Sequence, residues 1–178
     1  FLILIIFLGL SINLIPSYDD HAAYFVYPLK MLQQGTLGED LFSQRRLFFL
    51  GGQCFLQALV LIKGELTHLH LIDPGLGLIL CVGLGACLGK RLNINPRILL
   101  ISGILFILLI TGHIASIELN LSTFLLAPAM IVALYLISTD EQISGIKRSI
   151  LQGLLLAGIL CLKLTYTSFV LSYFVMYS

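Results

Sequence analysis

The chain has 178 residues, of which 58% are hydrophobic and only 11% are charged, and its mean hydropathy is +1.03. About 25% of the residues of a soluble globular domain are charged, so this composition excludes an ordinary soluble domain and indicates a polytopic membrane protein. The net charge of +1 argues against a nucleic-acid partner, because nucleic-acid-binding surfaces are strongly basic.

The apolar stretches predict an all-α fold, because a backbone that crosses lipid must satisfy its hydrogen bonds within each helix. One crossing needs roughly 20 residues at 1.5 Å per residue, and we expect a polytopic membrane helix bundle with about five spans and outer juxtamembrane helices. The predicted spans are 1–15, 69–88, 98–112, 121–137 and 149–177, the last either as one tilted helix or as a helix that breaks around Leu162 to Ser168. Residues 1–15 contain no Met and no basic segment, so we expect a fragment of a longer protein. A signal peptide is the alternative, but Pro16 and Tyr18 before two acids do not resemble a small-residue cleavage site.

Residues 17–46 are the longest stretch in which charged groups interrupt the apolar sequence. Within this stretch, Asp20 to Gln34 is predicted to form a helix along the membrane surface that stops at Gly35. The apolar segment 47–62 is short for a full crossing, and we predict a juxtamembrane or re-entrant helix there. A crossing helix is the alternative.

Basic residues indicate the sidedness of the bundle. Lys90, Arg91 and Arg97 lie between two predicted spans, and Lys147 and Arg148 lie between two others. Cytoplasmic loops are enriched in Lys and Arg, so both loops are expected to be cytosolic. If segment 47–62 does not cross the membrane, which is the interpretation we choose, the polar stretch 17–46 faces outward. If the segment crosses, the polar stretch is cytosolic.

Smaller patterns concern packing. Asp73 and Pro74 suit the start of a helix, and Gly85 with Gly89 form a GxxxG pair that allows close helix packing. Pro128 is expected to kink the span 121–137. Four cysteines lie within apolar runs and are expected to be small core residues without disulfides: Cys54, Cys81, Cys87 and Cys161.

Three features could carry chemistry. Asp19 and Asp20 come directly after a predicted span, where a lipid headgroup would present its phosphate. Lys163 lies in an apolar run, and a buried lysine costs about 2.5 to 3.5 kcal/mol, which predicts an anionic ligand or partner. A lysine that snorkels to the outer interface without a function is the alternative. Glu118 is the only acid between the predicted spans 98–112 and 121–137, and solvation of a helix end is its alternative role.

Soluble-type catalytic motifs such as GxSxG, HExxH and the P-loop do not occur in the sequence. His68 and His70 are two residues apart, so they would serve as a metal pair only if their stretch were extended.

The run from Asp20 and His21 to Tyr24, followed by Met31 and then Gly35, resembles the first outer loop of GT-C type integral membrane glycosyltransferases. Protein O-mannosyltransferases and lipid A aminoarabinose transferases are members of this family. That loop typically has an acid, a Tyr four residues later, and a Met-Leu-x-x-Gly end.

The resemblance continues along the chain in the same order. Segment 47–62 resembles the family's aromatic-rich juxtamembrane helix, and Glu118 resembles its second outer acid, which is Asp in many relatives. Residues 154–166 resemble the GLAxLTK segment, with Lys163 at its lysine and Leu162 in place of the Thr before it.

The chemistry that the resemblance implies is transfer of a sugar from a polyprenyl-phosphate donor to an acceptor on the outer face of the membrane. Asp20 would be the general base that takes a proton from the acceptor. Asp19 would assist it or bind a divalent ion, although neither a cofactor nor a metal is assigned. The leaving phosphate needs cations, for which Arg45, Arg46 and Lys163 are the candidates. Glu118, Tyr24 and His21 complete the implied substrate-binding set.

The expected partners are the lipid-linked donor, membrane lipid and an acceptor of unknown identity, and the expected location is a bacterial inner membrane with a periplasmic active face. A secondary transporter with Lys163 in its substrate path is the main alternative. A lipid-linked polymerase or ligase and a structural membrane subunit are further alternatives.

Overall fold

The computed structural model describes residues 26–35, 51–116, 124–162 and 164–177. These residues are mostly helical and contain no strand, so the all-α class is confirmed for the described part of the chain. Its α-helices are α1 (Val26–Gln34), α2 (Gly52–Leu61), α3 (Leu78–Arg91), α4 (Pro96–Ser116), α5 (Leu126–Ser138), α6 (Gly145–Leu162) and α7 (Thr167–Tyr177). Two 3-10 helices (Leu66–Leu71 and Leu164–Tyr166) and a π-helix (Ile72–Gly77) complete the helical segments.

Helix α1 ends where the sequence predicts. Gly35 has a φ of 70°, which glycine adopts without strain, and its N–H donates to the Met31 carbonyl at 2.9 Å. Tyr27 is buried, and α1 packs against α2. Helix α2 has ten residues and is therefore about 15 Å long, half the thickness of a hydrocarbon core. Its position relative to a membrane stays a prediction.

The prediction that Asp73 and Pro74 begin a helix is wrong. The 3-10 helix that precedes them begins at Leu66, and both residues lie inside the π-helix Ile72–Gly77, which continues directly into α3. The reason is that the Asp73 side chain binds the start of a different helix, α5, instead of capping its own.

Helices α3 and α4 are joined by the short loop 92–95 and pack against each other where Gly89 meets Leu99. A Cβ atom on Gly89 would lie 2.5 Å from Leu99 Cδ1, so the Leu99 side chain would have to shift if residue 89 were larger. By contrast, nothing in the described part of the chain lies within 4 Å of a Cβ placed on Gly85. Only the second glycine of the GxxxG pair therefore packs a helix closely within the described residues.

Pro128 does not kink α5, because α5 begins at Leu126 rather than at residue 121. Pro128 is thus in the first turn, where backbone N–H groups have no intrahelical acceptor. A proline at this position removes no hydrogen bond from the helix.

The last predicted span, 149–177, is two helices in the structure. Helix α6 ends at Leu162 and α7 begins at Thr167. Val170 packs with Leu156 and Ile159, whereas the Tyr173 hydroxyl accepts from Gln152 Nε2 at 2.9 Å. Later residues of α7 thus meet earlier residues of α6. The two helices form an antiparallel hairpin, and one long tilted helix is excluded.

The two basic loops lie at one end of the bundle, as the charge pattern predicts. Arg91, at the end of α3, donates from Nη1 to the Leu136 carbonyl at 3.0 Å and from Nη2 to the Thr139 carbonyl. Arg148 Nη2 donates to the carbonyls of Asp140 and Ile143 in the loop between α5 and α6. We call this the basic end. The π-helix, the start of α5 and the end of α6 form the opposite end, the Asp73 end.

Helix α6 is the one helix in the described part of the chain that passes the length and composition test for crossing a membrane. Its mean hydropathy is 1.5 over 18 residues, and only 17% of that segment is buried. The core helix of a soluble protein would be mostly buried.

The cysteines are free, and they differ in exposure. Cys54 is buried, whereas Cys81 and Cys161 are half-buried. Cys87 is exposed on α3, so the prediction of a core residue is wrong there.

Candidate functional site at the Asp73 end

The site residues predicted from the sequence all lie outside the described residues, and their roles stay predictions: Asp19, Asp20, His21, Tyr24, Arg45, Arg46, Glu118 and Lys163. The described helices that adjoin them in the chain can be located, however. Two of these helices, α5 and α6, meet at the Asp73 end.

Asp73 joins α3 to α5. Its carboxylate is 5% exposed and accepts from Leu126 N at 2.8 Å and from Leu125 N at 2.9 and 3.1 Å. These N–H groups belong to the first turn of α5, which lacks intrahelical acceptors and carries the positive end of the helix dipole. A negative side chain from a neighbouring helix therefore caps α5.

Gly77 and Cys81 extend this contact along the same helix face, at intervals of four residues from Asp73. A Cβ atom on Gly77 would lie 2.9 Å from Leu126 N and 3.0 Å from Leu125 Cβ, so glycine is needed for the close approach. Cys81 Sγ donates to the Leu125 carbonyl at 3.0 Å. Residues on three successive turns of the segment from the π-helix into α3 thus contact the start of α5.

A hydrophobic cluster lies beside the Asp73 carboxylate. It consists of Ile72, Leu126, Ala127 and Leu162, with Leu56 and Val60 of α2 and Tyr166 packed against it. Helix α2 also approaches α6 closely, because a Cβ atom on Gly52 would lie 2.8 Å from three atoms of Cys161. Five segments of the chain are therefore packed together at this end: the π-helix, α2, α5, α6 and the 3-10 helix Leu164–Tyr166.

The described neighbours of three predicted site segments belong to this arrangement. Helix α6 ends at Leu162, immediately before Lys163 in the chain, and Leu162 is in the cluster. Helix α5 begins shortly after the segment 117–123 that contains Glu118. Helix α1 follows Tyr24 closely in sequence and packs against α2, which packs against the cluster.

Asp73 is suited to positioning helices rather than to proton transfer. Both of its oxygens accept hydrogen bonds from backbone N–H groups, and little of the side chain is open to solvent. A general base needs a free lone pair within reach of its substrate. The structure thus separates Asp73, which is structural, from the acids that the sequence proposes for catalysis.

His68 lies in a 3-10 helix, so the extended stretch that a metal pair with His70 would need is absent. Its Nδ1 accepts from Glu65 N at 2.7 Å, which completes a capping box at the start of that helix. Within the residues that the structure describes, no group of three or more His, Cys, Asp or Glu could hold a metal ion.

The role of Asp73 was missed by the sequence reasoning, which assigned it to the start of its own helix. The partner N–H groups are 52 and 53 residues away in the chain. The available signal is the glycine four residues after the acid, since that spacing places both on one helix face.

Comparisons with protein-family models, with curated proteins and with solved structures find no match to this chain. Its relation to the GT-C glycosyltransferases accordingly enters below as a proposal.

Proposed function

We propose that this chain belongs to a polytopic membrane glycosyltransferase of the GT-C type, which moves a sugar from a polyprenyl-phosphate donor to an acceptor on the outer face. The observation that carries the proposal is that α5 and α6, which adjoin the Glu118 and Lys163 segments, meet at the Asp73 end. Helix α1, which follows the Asp20 segment in the chain, packs against α2, and α2 contributes to the same cluster. A transferase needs its base and its phosphate-binding cation on one side of the membrane.

The surface of the helices supports the membrane placement. On α6, Ile146 is 78% exposed and Leu154 is 65% exposed, and on α7 Val175 and Met176 are 78% and 81% exposed. Large apolar side chains exposed on successive turns are rare on soluble proteins. Lipid would cover these faces without a penalty.

Two steps make up the proposed chemistry. Asp20 accepts the proton of the acceptor group as that group forms a bond to the anomeric carbon of the sugar. The bond between this carbon and the phosphate oxygen breaks, and the electron pair leaves with the phosphate. Arg45, Arg46 and Lys163 stabilise the negative charge of the departing lipid phosphate.

The activity test uses the full-length protein in membranes that carry radiolabelled polyprenyl-phosphate sugars. Asp20→Asn is expected to lower transfer of label to acceptor by at least about 100-fold, since general-base catalysis contributes roughly 10²- to 10⁴-fold. Asp40→Asn, in the same polar stretch, is the matched control and should retain transfer. Unchanged transfer by Asp20→Asn would exclude Asp20 as the base.

Sidedness is tested by labelling single cysteines in a cysteine-free background with a membrane-impermeant maleimide. Asp40→Cys should react in intact cells. Ile94→Cys, in the loop at the basic end, should react only after permeabilisation. The reverse pattern would place the polar stretch in the cytosol and overturn the proposed reaction.

The transporter alternative would explain Lys163, the glycine-rich span and Pro128 as parts of a substrate path. Helix α6 ends at Leu162, before Lys163, and Leu162 packs at the Asp73 end rather than midway along the bundle. No specific observation therefore favours transport.

A further inference from the structure

The basic end differs in composition from the rest of the bundle. It collects five basic side chains and two acidic ones: Lys90, Arg91, Arg97, Lys147 and Arg148, with Asp140 and Glu141. The proposed transfer reaction, which lies at the Asp73 end, uses none of them.

Two of the arginines, Arg91 and Arg148, donate hydrogen bonds to backbone carbonyls of the bundle. Arg91 binds the last carbonyls of α5, and Arg148 binds carbonyls of the following loop. These contacts hold the ends of α3, α5 and α6 together. The helix ends at the basic end are therefore held in place, and the remaining basic side chains are attached to them.

Three cationic side chains are exposed at the basic end. The side chains of Lys90, Arg97 and Lys147 make no hydrogen bond or ion pair to any residue that the structure describes. Of the two acids at this end, Asp140 accepts a hydrogen bond from Gln142 N at 3.0 Å. The positive charge at this end is thus not neutralised within the described chain.

Exposed apolar side chains alternate with these cations. Leu92, Ile94 and Ile98 lie around the loop 92–95, and Ile146 precedes Lys147. An anionic phospholipid is complementary to such a surface. Its phosphate can bind the cations, and the first carbons of its acyl chains can contact the apolar residues. Each Lys or Arg close to an anionic leaflet contributes about 1 kcal/mol to binding.

We propose that the basic end is a binding surface for anionic phospholipids, in which Lys90, Arg97 and Lys147 contact headgroup phosphates and the neighbouring Ile and Leu side chains contact the acyl chains. This proposal rests on the membrane placement proposed above. It concerns the face opposite the transferase site and does not depend on the identity of the sugar.

The test measures the melting temperature of the detergent-solubilised full-length protein by circular dichroism during titration with dioleoyl-phosphatidylglycerol. Phosphatidylglycerol is expected to raise the melting temperature at mole fractions where dioleoyl-phosphatidylcholine does not. Sodium phosphate at the same concentration distinguishes a headgroup within a lipid from free phosphate, and it should have no effect.

The variant Lys90→Gln/Arg97→Gln/Lys147→Gln is expected to weaken the apparent affinity for phosphatidylglycerol on the order of 100-fold, or about fivefold for each charge removed. The matched control is Lys30→Gln/Lys63→Gln, which removes basic residues elsewhere and should leave the affinity unchanged. If the triple variant does not fold, the three single variants are compared, each of which should lose about fivefold.

Equal stabilisation by the two lipids, stabilisation by sodium phosphate, or an equal loss in the control variant would each overturn the proposal. Carbonate extraction of membranes separates this failure from failure of the membrane placement. A chain released into the soluble fraction overturns both proposals, whereas a retained chain without lipid preference overturns only the lipid surface.

Discussion

Replacing Asp73 by alanine is expected to detach the start of α5 from α3. Two backbone N–H groups lose a charged acceptor, and hydrogen bonds to charged groups contribute about 1.5 to 3 kcal/mol. Burial of the site keeps water from replacing the carboxylate fully. A loss of about 3 kcal/mol in the free energy of unfolding follows, which lowers the melting temperature by roughly 6 to 12 °C for a chain of this size.

Asp73→Asn separates the hydrogen bonds from the charge. An amide oxygen in the place of Oδ1 can still accept from Leu126 N and, at 3.1 Å, from Leu125 N. The NH₂ group cannot replace the shorter bond from Leu125 N to Oδ2, and the attraction to the helix dipole is lost. An intermediate loss of about 1.5 kcal/mol is expected. Glu141→Gln is the control, because Glu141 is an exposed acid in a loop, and its substitution should change stability by less than about 0.5 kcal/mol.

The assay is thermal unfolding in detergent by circular dichroism at 222 nm, combined with amide hydrogen exchange. Exchange should accelerate at Leu125 and Leu126, because these amides donate to Asp73. If Asp73→Ala melts within 1 °C of the unmodified protein (well below the roughly 6 °C expected) and its exchange at these amides is unchanged, the carboxylate does not hold α5 and the reasoning is refuted.

Three further outcomes are expected. Gly77→Ala should lower the free energy of unfolding by about 1 to 3 kcal/mol, because the added Cβ would press on Leu126 N. Gly85→Ala, with open space around it, should leave the stability unchanged or raise it. Equal melting temperatures for the two variants would contradict this expectation. Tyr173→Phe removes a hydroxyl that joins α5, α6 and α7 and should cost about 1 kcal/mol, measured by the same thermal assay. Arg91→Gln should cost about 1 kcal/mol and accelerate amide exchange in the last turn of α5, and unchanged exchange there would exclude Arg91 as its cap.

The helical class and the grouping of the basic loops could be predicted because they depend on local signals. Apolar runs favour helices, and Lys and Arg are grouped at the two connections next to Lys90 and Lys147. The stop at Gly35 was equally local, since a positive φ after a helix favours glycine.

Helix boundaries that depend on distant partners were not predictable. The sequence around Asp73 predicts the start of a helix. In the structure, Asp73 instead caps α5, because the fold places the first N–H groups of α5 against its carboxylate. Pro128 reads as a mid-helix kink because apolar residues continue on its N-terminal side, yet α5 begins two residues before it. In both cases the apolar composition predicts a helical segment but does not indicate the residue at which its intrahelical hydrogen bonds begin.

Helix α5 is capped at both ends by side chains that belong to one neighbouring helical segment. Asp73 lies against its positive N-terminal end, and Arg91 donates to the carbonyls at its negative C-terminal end. Because the two charges have opposite signs and are 18 positions apart, they match α5 only when it runs antiparallel to α3. A slip of one helical turn would unpair both ends together, with N–H groups left buried at one end. The charges therefore fix the register and direction of the central helix pair, which hydrophobic contacts in an apolar bundle specify poorly.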